Sequence, residues 1–114
     1  MKNYNYKKVA KNVIAIEIAA LKKLNKSFNT PFSKTIDLIA KCRGKIILAG
    51  VGKSGLISRK ISATLSSVGT PSFYLHPVEA AHGDLGQITN RDILLIFSYS
   101  GETEELKNII QYIN

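Results

Sequence analysis

One cysteine, Cys42, is all the sequence offers, so no internal disulfide is available and a reducing compartment is expected. It falls at the end of a predicted helix, where a structural thiol is the simpler reading. No apolar run is long enough to cross a bilayer, and Met1-Lys2-Asn3-Tyr4-Asn5-Tyr6-Lys7-Lys8 has no apolar signal-peptide core. We therefore expect a soluble cytoplasmic protein with no membrane partner. There is no internal repeat, low-complexity tract or linker, and 114 residues suffice for one modest core, not two. With 45% apolar and 21% charged residues, general disorder is excluded.

Acidic residues are scarce in the first half. Residues 1–60 carry fourteen Lys or Arg against Glu17 and Asp37, a balance of +12, whereas residues 61–114 carry Arg91 and Lys107 against six acids, a balance of −4. A basic half can mark a nucleic-acid surface. Here Lys7, Lys8, Lys11, Lys22, Lys23 and Lys26 fall at helical spacing opposite apolar positions, without interleaved aromatics, so they read as the wet side of a helix and nucleic acid is not the expected partner.

That helix runs from Tyr4 to about Lys26, with Val9, Val13, Ile16, Ala20 and Leu24 on an apolar stripe widened by Ile14, Ile18 and Leu21. A neighbouring subunit or the rest of the chain are both open as cover for it. Asn29-Thr30-Pro31 gives a cap and an early proline for a second helix, whose predicted buried side is Phe32, Ile36, Leu38 and Ile39 and which ends near Arg43-Gly44.

Ile46–Gly50 is a short glycine-bounded apolar run, predicted as a strand buried on both faces. Gly50-Val51-Gly52-Lys53-Ser54-Gly55 follows and opens into a helix over Ser54–Val68, with Ile57, Ile61, Leu65 and Val68 as its apolar stripe. Glycines admit a close ligand, and a helix start presents free N–H groups to an anion, with Lys53 adding charge. A compact turn with no ligand uses the same residues. A Walker loop is excluded by Ile47, and a dinucleotide fold wants an acid where the next strand ends in Leu75-His76-Pro77.

Gly69-Thr70-Pro71 stops the helix, Ser72–Leu75 is strand-like, and His76–Gly86 reads as a loop with a single helical turn. Asp92–Ser98 is a further apolar strand, followed by Ser98-Tyr99-Ser100-Gly101-Glu102-Thr103 and a helix over about Thr103–Tyr112 with Leu106, Ile109, Ile110 and Ile113 inward. Three hydroxyls and a helix start make a neutral phosphate cradle, or simply a serine-rich cap. Alternating strands and helices predict an α/β fold, a three-layer αβα sandwich on a parallel sheet preceded by two helices. Ligands are then expected beyond the strand C-terminal ends.

Together, GVGKSG, GTPSFYLHPVEAAHGDLG and SYSGETEE, over roughly residues 40–105, resemble the sugar isomerase (SIS) domain family, which binds phosphosugars. The closer likeness is to bacterial arabinose 5-phosphate isomerases, which interconvert D-ribulose 5-phosphate and D-arabinose 5-phosphate on the way to Kdo in lipopolysaccharide. The resemblance implies functional roles for Lys53, His82 and Glu105, a substrate contact at Gly69-Thr70, and a zinc position at His76, with any zinc inhibitory or incidental and no cofactor required. It also implies a homo-oligomer with shared active sites. A complete domain would continue past Asn114, contributing another glutamate and histidine and often CBS modules. Residues 1–43 are then a helical segment and 44–114 the first part of a truncated SIS domain.

These roles make chemical sense. An enediol route needs a base and support for charge on oxygen. Glu105 would reach the carbons of a sugar anchored at Ser54, Ser98, Ser100 and Thr103, Lys53 would stabilise the enediolate or hold the phosphate, and His82 would move protons, as imidazole does near neutral pH. Each residue also has a plain reading: a solvated first-turn acid, a surface charge, a hydrogen-bonded loop histidine. As an alternative class, a non-catalytic phosphosugar sensor would keep the cradle and need no base.

Overall fold

The computed structural model describes residues 4–114, and these form two compact units that meet in sequence between Leu38 and Ile39. In the first, α1 (Tyr6–Leu24) leads through a 3-10 turn (Asn25–Ser27) into α2 (Thr30–Ala40), which crosses the boundary. Asn5 Oδ1 accepts the Lys8 N–H at 3.0 Å and Asn29 Oδ1 accepts the Phe32 N–H at 3.2 Å, so both helices start on asparagine caps. Proline is thus the second residue of α2, behind Thr30. No residue of α1 or α2 is buried: Leu21 is 65% exposed, and the expected buried side of α2 is corrected, since Phe32, Ile36 and Leu38 all lie open.

In the second unit, β1 (Ile46–Gly50), β2 (Ser72–Leu75) and β3 (Ile93–Phe97) form one parallel sheet in the order β2-β1-β3. Ala49 stands opposite Leu75 and Ile96, and Gly50 opposite Phe97, so all three strands end along one edge. Position explains burial. The central β1 is fully buried, while β3, on the rim of the sheet, is only half-buried at every residue despite its unbroken apolar sequence.

Helix α3 (Lys53–Ser67) covers one face of the sheet. The other carries α4 (Pro77–Ala81) and α5 (Glu104–Ile113), whose Ala80, Leu106 and Ile109 close a core with Ile47, Ala49 and Leu75. This is the expected three-layer α/β arrangement. The inward side of α5 is narrower than its sequence stripe, because Ile110 and Ile113 stay exposed. The loop after β2 contains α4 and a 3-10 turn (Asp84–Gln87), slightly more order than one helical turn.

The predicted contact face of α3 needs a larger correction. Its buried residues are Gly55, Ser58 and Ser62, at helical spacing, while Leu56 is 67% and Ile57 54% exposed. The cause is proximity. A Cβ on Gly55 would lie 2.6 Å from the Gly50 carbonyl oxygen, so only small residues fit between helix and strand. Ser58 Oγ donates at 2.8 Å to the Ser54 carbonyl, and Ser72 Oγ donates at 2.7 Å to the Ile46 carbonyl, satisfying the polar atoms that this close seam buries.

At the opposite edge, the Asp92 carboxylate accepts the backbone N–H of Lys45 at 2.7 Å and that of Thr89 at 2.8 Å, the Thr89 hydroxyl at 3.0 Å, and has the Lys45 Nζ at 3.5 Å. Burial, the largest influence, raises its pKa. The backbone donors, the Thr89 hydroxyl and the Lys45 charge outweigh it together and hold the group below its ordinary value.

Candidate functional site

Three segments leave the C-terminal edge of the sheet: the turn after β1, the α4 loop after β2, and the serine loop after β3. In the first, Gly52 caps α3 at φ 60, ψ −128, a conformation that L side chains rarely adopt. Each glycine of this turn has its own role. Gly52 supplies the backbone angle, and Gly50 and Gly55 supply closeness, since a Cβ on Gly50 would stand 2.9 Å from the Ser54 carbonyl. Lys53 is the first residue of α3, exposed and without an ion-pair partner among the described residues; Ser54 behind it is half-buried.

The serine loop is tied to itself. Ser98 Oγ accepts the Gly101 N–H at 2.9 Å and lies 3.1 Å from Thr103 Oγ1, while Ser100 Oγ accepts the Glu102 N–H at 3.2 Å. Gly101, at φ 73, permits the bend. Thr103 is the N-cap residue of α5 but makes no side-chain capping bond, so an incoming anion would find the helix start uncapped. Glu105 is exposed in the first turn, beside Glu104, which pairs with Lys107 instead.

After β2, His76 is the N-cap of α4. Its Nδ1 accepts the Val78 N–H at 3.2 Å, which leaves the proton of a neutral ring on Nε2. Metal binding through Nε2 would need the opposite tautomer and would break the cap. No group of three or more His, Cys, Asp or Glu side chains suited to a metal exists among the described residues. The donor set at His76 therefore does not fit a resident metal ion. His82 is the exposed C-cap residue of α4, whose N–H donates to the Glu79 carbonyl at 2.9 Å.

Lys53, His82, Glu105, Ser54, His76, Ser98, Ser100 and Thr103 thus all follow strand C-terminal ends. Gly69 and Thr70 do not. They terminate α3, with the Gly69 N–H on the Ser66 carbonyl at 3.1 Å and the Thr70 N–H on Leu65 at 2.9 Å, a Schellman pair in which Gly69 has φ 89. Fifteen helical residues separate them from the glycine turn, about 22 Å of helix. Within one chain Gly69 and Thr70 are therefore not brought together with the other site residues and lie at the far edge of the sheet.

A cleft of about 360 Å³ opens at the functional edge, lined by Gly52, Gly55, Leu56, Arg59, Tyr74 and His76. Lys53, His82 and Glu105 are not among its lining residues. Arg59 and Tyr74 carry no motif that sequence reading could seize. The one available signal was alternation in β2, which puts Ser72 and Tyr74 on the α3 side and Phe73 and Leu75 on the other.

Comparison with known proteins places this arrangement. Residues 38–114 match the SIS domain. An uncharacterized protein of Rickettsia prowazekii is 52% identical over 110 residues, covering 96% of this chain and 34% of that protein. The arabinose 5-phosphate isomerase KpsF of Escherichia coli O6:H1 is 48% identical over 101 residues, covering 88% and 31%. The chain therefore spans about a third of the length of these relatives. Among solved structures, the E. coli CFT073 protein c3406 in complex with arabinose 5-phosphate has a TM-score of 0.89 at 38% identity, over 99% of this chain and 60% of that one. With its glycine turn, its serine loop and its parallel sheet matched over two thirds of its length, this chain belongs to the SIS domain family.

Proposed function

We propose that the chain is the phosphosugar-binding part of an aldose–ketose isomerase that interconverts D-ribulose 5-phosphate and D-arabinose 5-phosphate, supplying the route to Kdo and lipopolysaccharide in the cytoplasm. The observation that carries this reading is the pairing of Gly50 with Phe97, which sets the glycine turn and the serine loop on adjacent strands at one edge. Isomerases bearing that name are 43–48% identical to this chain.

In this reading the phosphate sits on the uncapped start of α5, between the hydroxyls of Ser98, Ser100 and Thr103, with Ser54 facing it from the other turn. Glu105 takes the proton from the carbon beside the carbonyl and returns it to the adjacent carbon. Lys53 holds the enediolate oxygen as its charge develops, and His82 passes protons between the hydroxyl oxygens. No cofactor is required, and zinc at His76 is incidental or inhibitory. Gly69 and Thr70 reach a sugar only from a second copy, which fits a homo-oligomer with shared sites. Residues 44–114 act as the opening part of the sugar-binding domain and residues 1–43 as its helical lead.

A second reading, a phosphosugar sensor without turnover, draws on one observation: Lys53, His82 and Glu105 are all exposed, and none lines the cleft at their edge. Incubation with D-ribulose 5-phosphate, followed by NMR, separates the two, with the Escherichia coli O6:H1 isomerase as reference for the rate. Appearance of D-arabinose 5-phosphate supports the isomerase. Saturable shifts without product support the sensor, and no response of either kind overturns both.

A further inference from the structure

We propose that the cleft between α3 and β2 is a second oxyanion site, built on Arg59 and Tyr74, that takes a phosphoryl group of a small, sugar-sized molecule. Tyr74 Oη donates to the Gly50 carbonyl at 2.7 Å, which fixes the ring against the end of β1. The Arg59 guanidinium lies over that ring, 4.3 Å from its centroid. Stacking occupies one face of the guanidinium and leaves its edge, where all five N–H donors lie, free to bind. Arg59 forms no ion pair among the described residues, and none of the residues lining the cleft is acidic.

A cation already held in place by an aromatic ring loses little side-chain freedom on binding, and its planar fork suits two phosphoryl oxygens at once. At about 360 Å³ the cleft falls at the small end of ordinary ligand pockets. Gly52, with open space where a Cβ would stand, lets a ligand come close to the backbone, and His76 forms the far wall with its Nε2 proton unused. The ring of His76 meets Tyr74 edge-on, centroids 6.1 Å apart, so the platform is braced on that side too. This site is separate from the serine loop. That loop follows β3, is uncharged at its hydroxyls, and has them engaged within the loop, Ser98 with Thr103 and the Gly101 N–H, Ser100 with the Glu102 N–H. The inference rests on the cleft and does not depend on the isomerase reading.

Titration of the isotope-labelled chain with inorganic phosphate, against chloride at matched ionic strength, tests it. Saturable shifts are expected at the Gly52 and Gly55 amides and the Arg59 Nε–H. Arg59→Gln should weaken them by about tenfold or more, as loss of a charged hydrogen-bond partner does. Arg59→Lys, which keeps the charge but not the fork, should fall between, and Ser100→Ala should leave them unchanged. Shifts confined to Ser98–Thr103, shifts that survive Arg59→Gln, or a response no larger than chloride's would each overturn the proposal.

Discussion

The carboxylate of Asp92 reaches across the sheet to the backbone N–H of Lys45, 47 residues earlier, and locks the entry of β1 to the entry of β3. Its side chain is 1% accessible. Gly44 makes the approach possible, because a Cβ there would lie 2.4 Å from both the Arg91 carbonyl oxygen and Asp92 Oδ1. The lock sits at the opposite end of the strands from the glycine turn and the serine loop. Architecture and chemistry are therefore set at different ends of the same three strands, and can be perturbed separately.

Asp92→Asn should cost about 2 kcal/mol, since a charged acceptor of several hydrogen bonds is replaced by a neutral amide whose NH2 faces donors. The urea midpoint reads this, and phosphate binding at the far edge should persist. The folded pKa of Asp92 lies below the ordinary 3.8, so its stabilisation is fully present above the unfolded value and is lost as pH falls through the folded one. Wild type should lose this increment below about pH 4, and Asp92→Asn should show no corresponding loss.

Alanine substitution in the glycine turn should give two distinct phenotypes. Gly52→Ala meets no atom within 4 Å, so its cost is backbone strain, about 1–3 kcal/mol. Gly55→Ala instead drives a methyl toward the Gly50 carbonyl at 2.6 Å and Tyr74 Oη at 2.9 Å. It should displace Tyr74 as well as destabilise, seen as a change in the Tyr74 ring resonances that Gly52→Ala does not produce.

If the isomerase reading holds, Glu105→Gln should lower turnover of D-arabinose 5-phosphate by about 10²–10⁴, the range for loss of a general base, with binding of the sugar phosphate little changed. An equal loss in binding and turnover would make Glu105 a plain binding residue. Ser100→Ala should do the reverse, raising KM more than it lowers kcat.

The apolar stripe of α1 should drive self-association. Val13, Ile16 and Leu21 are all exposed, and contiguous apolar surface of this kind is characteristic of interfaces. Sedimentation velocity should show assembly that Ile16→Glu with Leu21→Glu abolishes. A single species at every concentration in both proteins would refute this.

Much of the architecture could be read from the order of residues. Ile46–Gly50 is apolar without interruption because a central parallel strand is buried on both faces, and its ends fell where glycine put them. The serine loop and glycine turn could be placed at one edge because parallel strands leave no alternative. The contact face of α3 escaped, since hydrophobic periodicity points to Ile57 and Val68, whereas close packing on Gly50 selects Gly55, Ser58 and Ser62. Gly69-Thr70 matched a family motif, but a motif carries no information about which end of a helix its residues occupy within one chain. Asp92 looked like the first residue of a strand; its role depends on Lys45 and Thr89, and such long-range partners leave no local trace.

The sheet order has a consequence for synthesis on the ribosome. The middle strand is translated first, and both of its flanks come later, so the run from Ile46 to Gly50 emerges with nowhere to pair. One side closes only once Leu75 has been made, and the other waits for Phe97. Throughout that interval the strand that the finished unit buries completely is an open edge, of the kind that invites pairing with other chains until its neighbours are made.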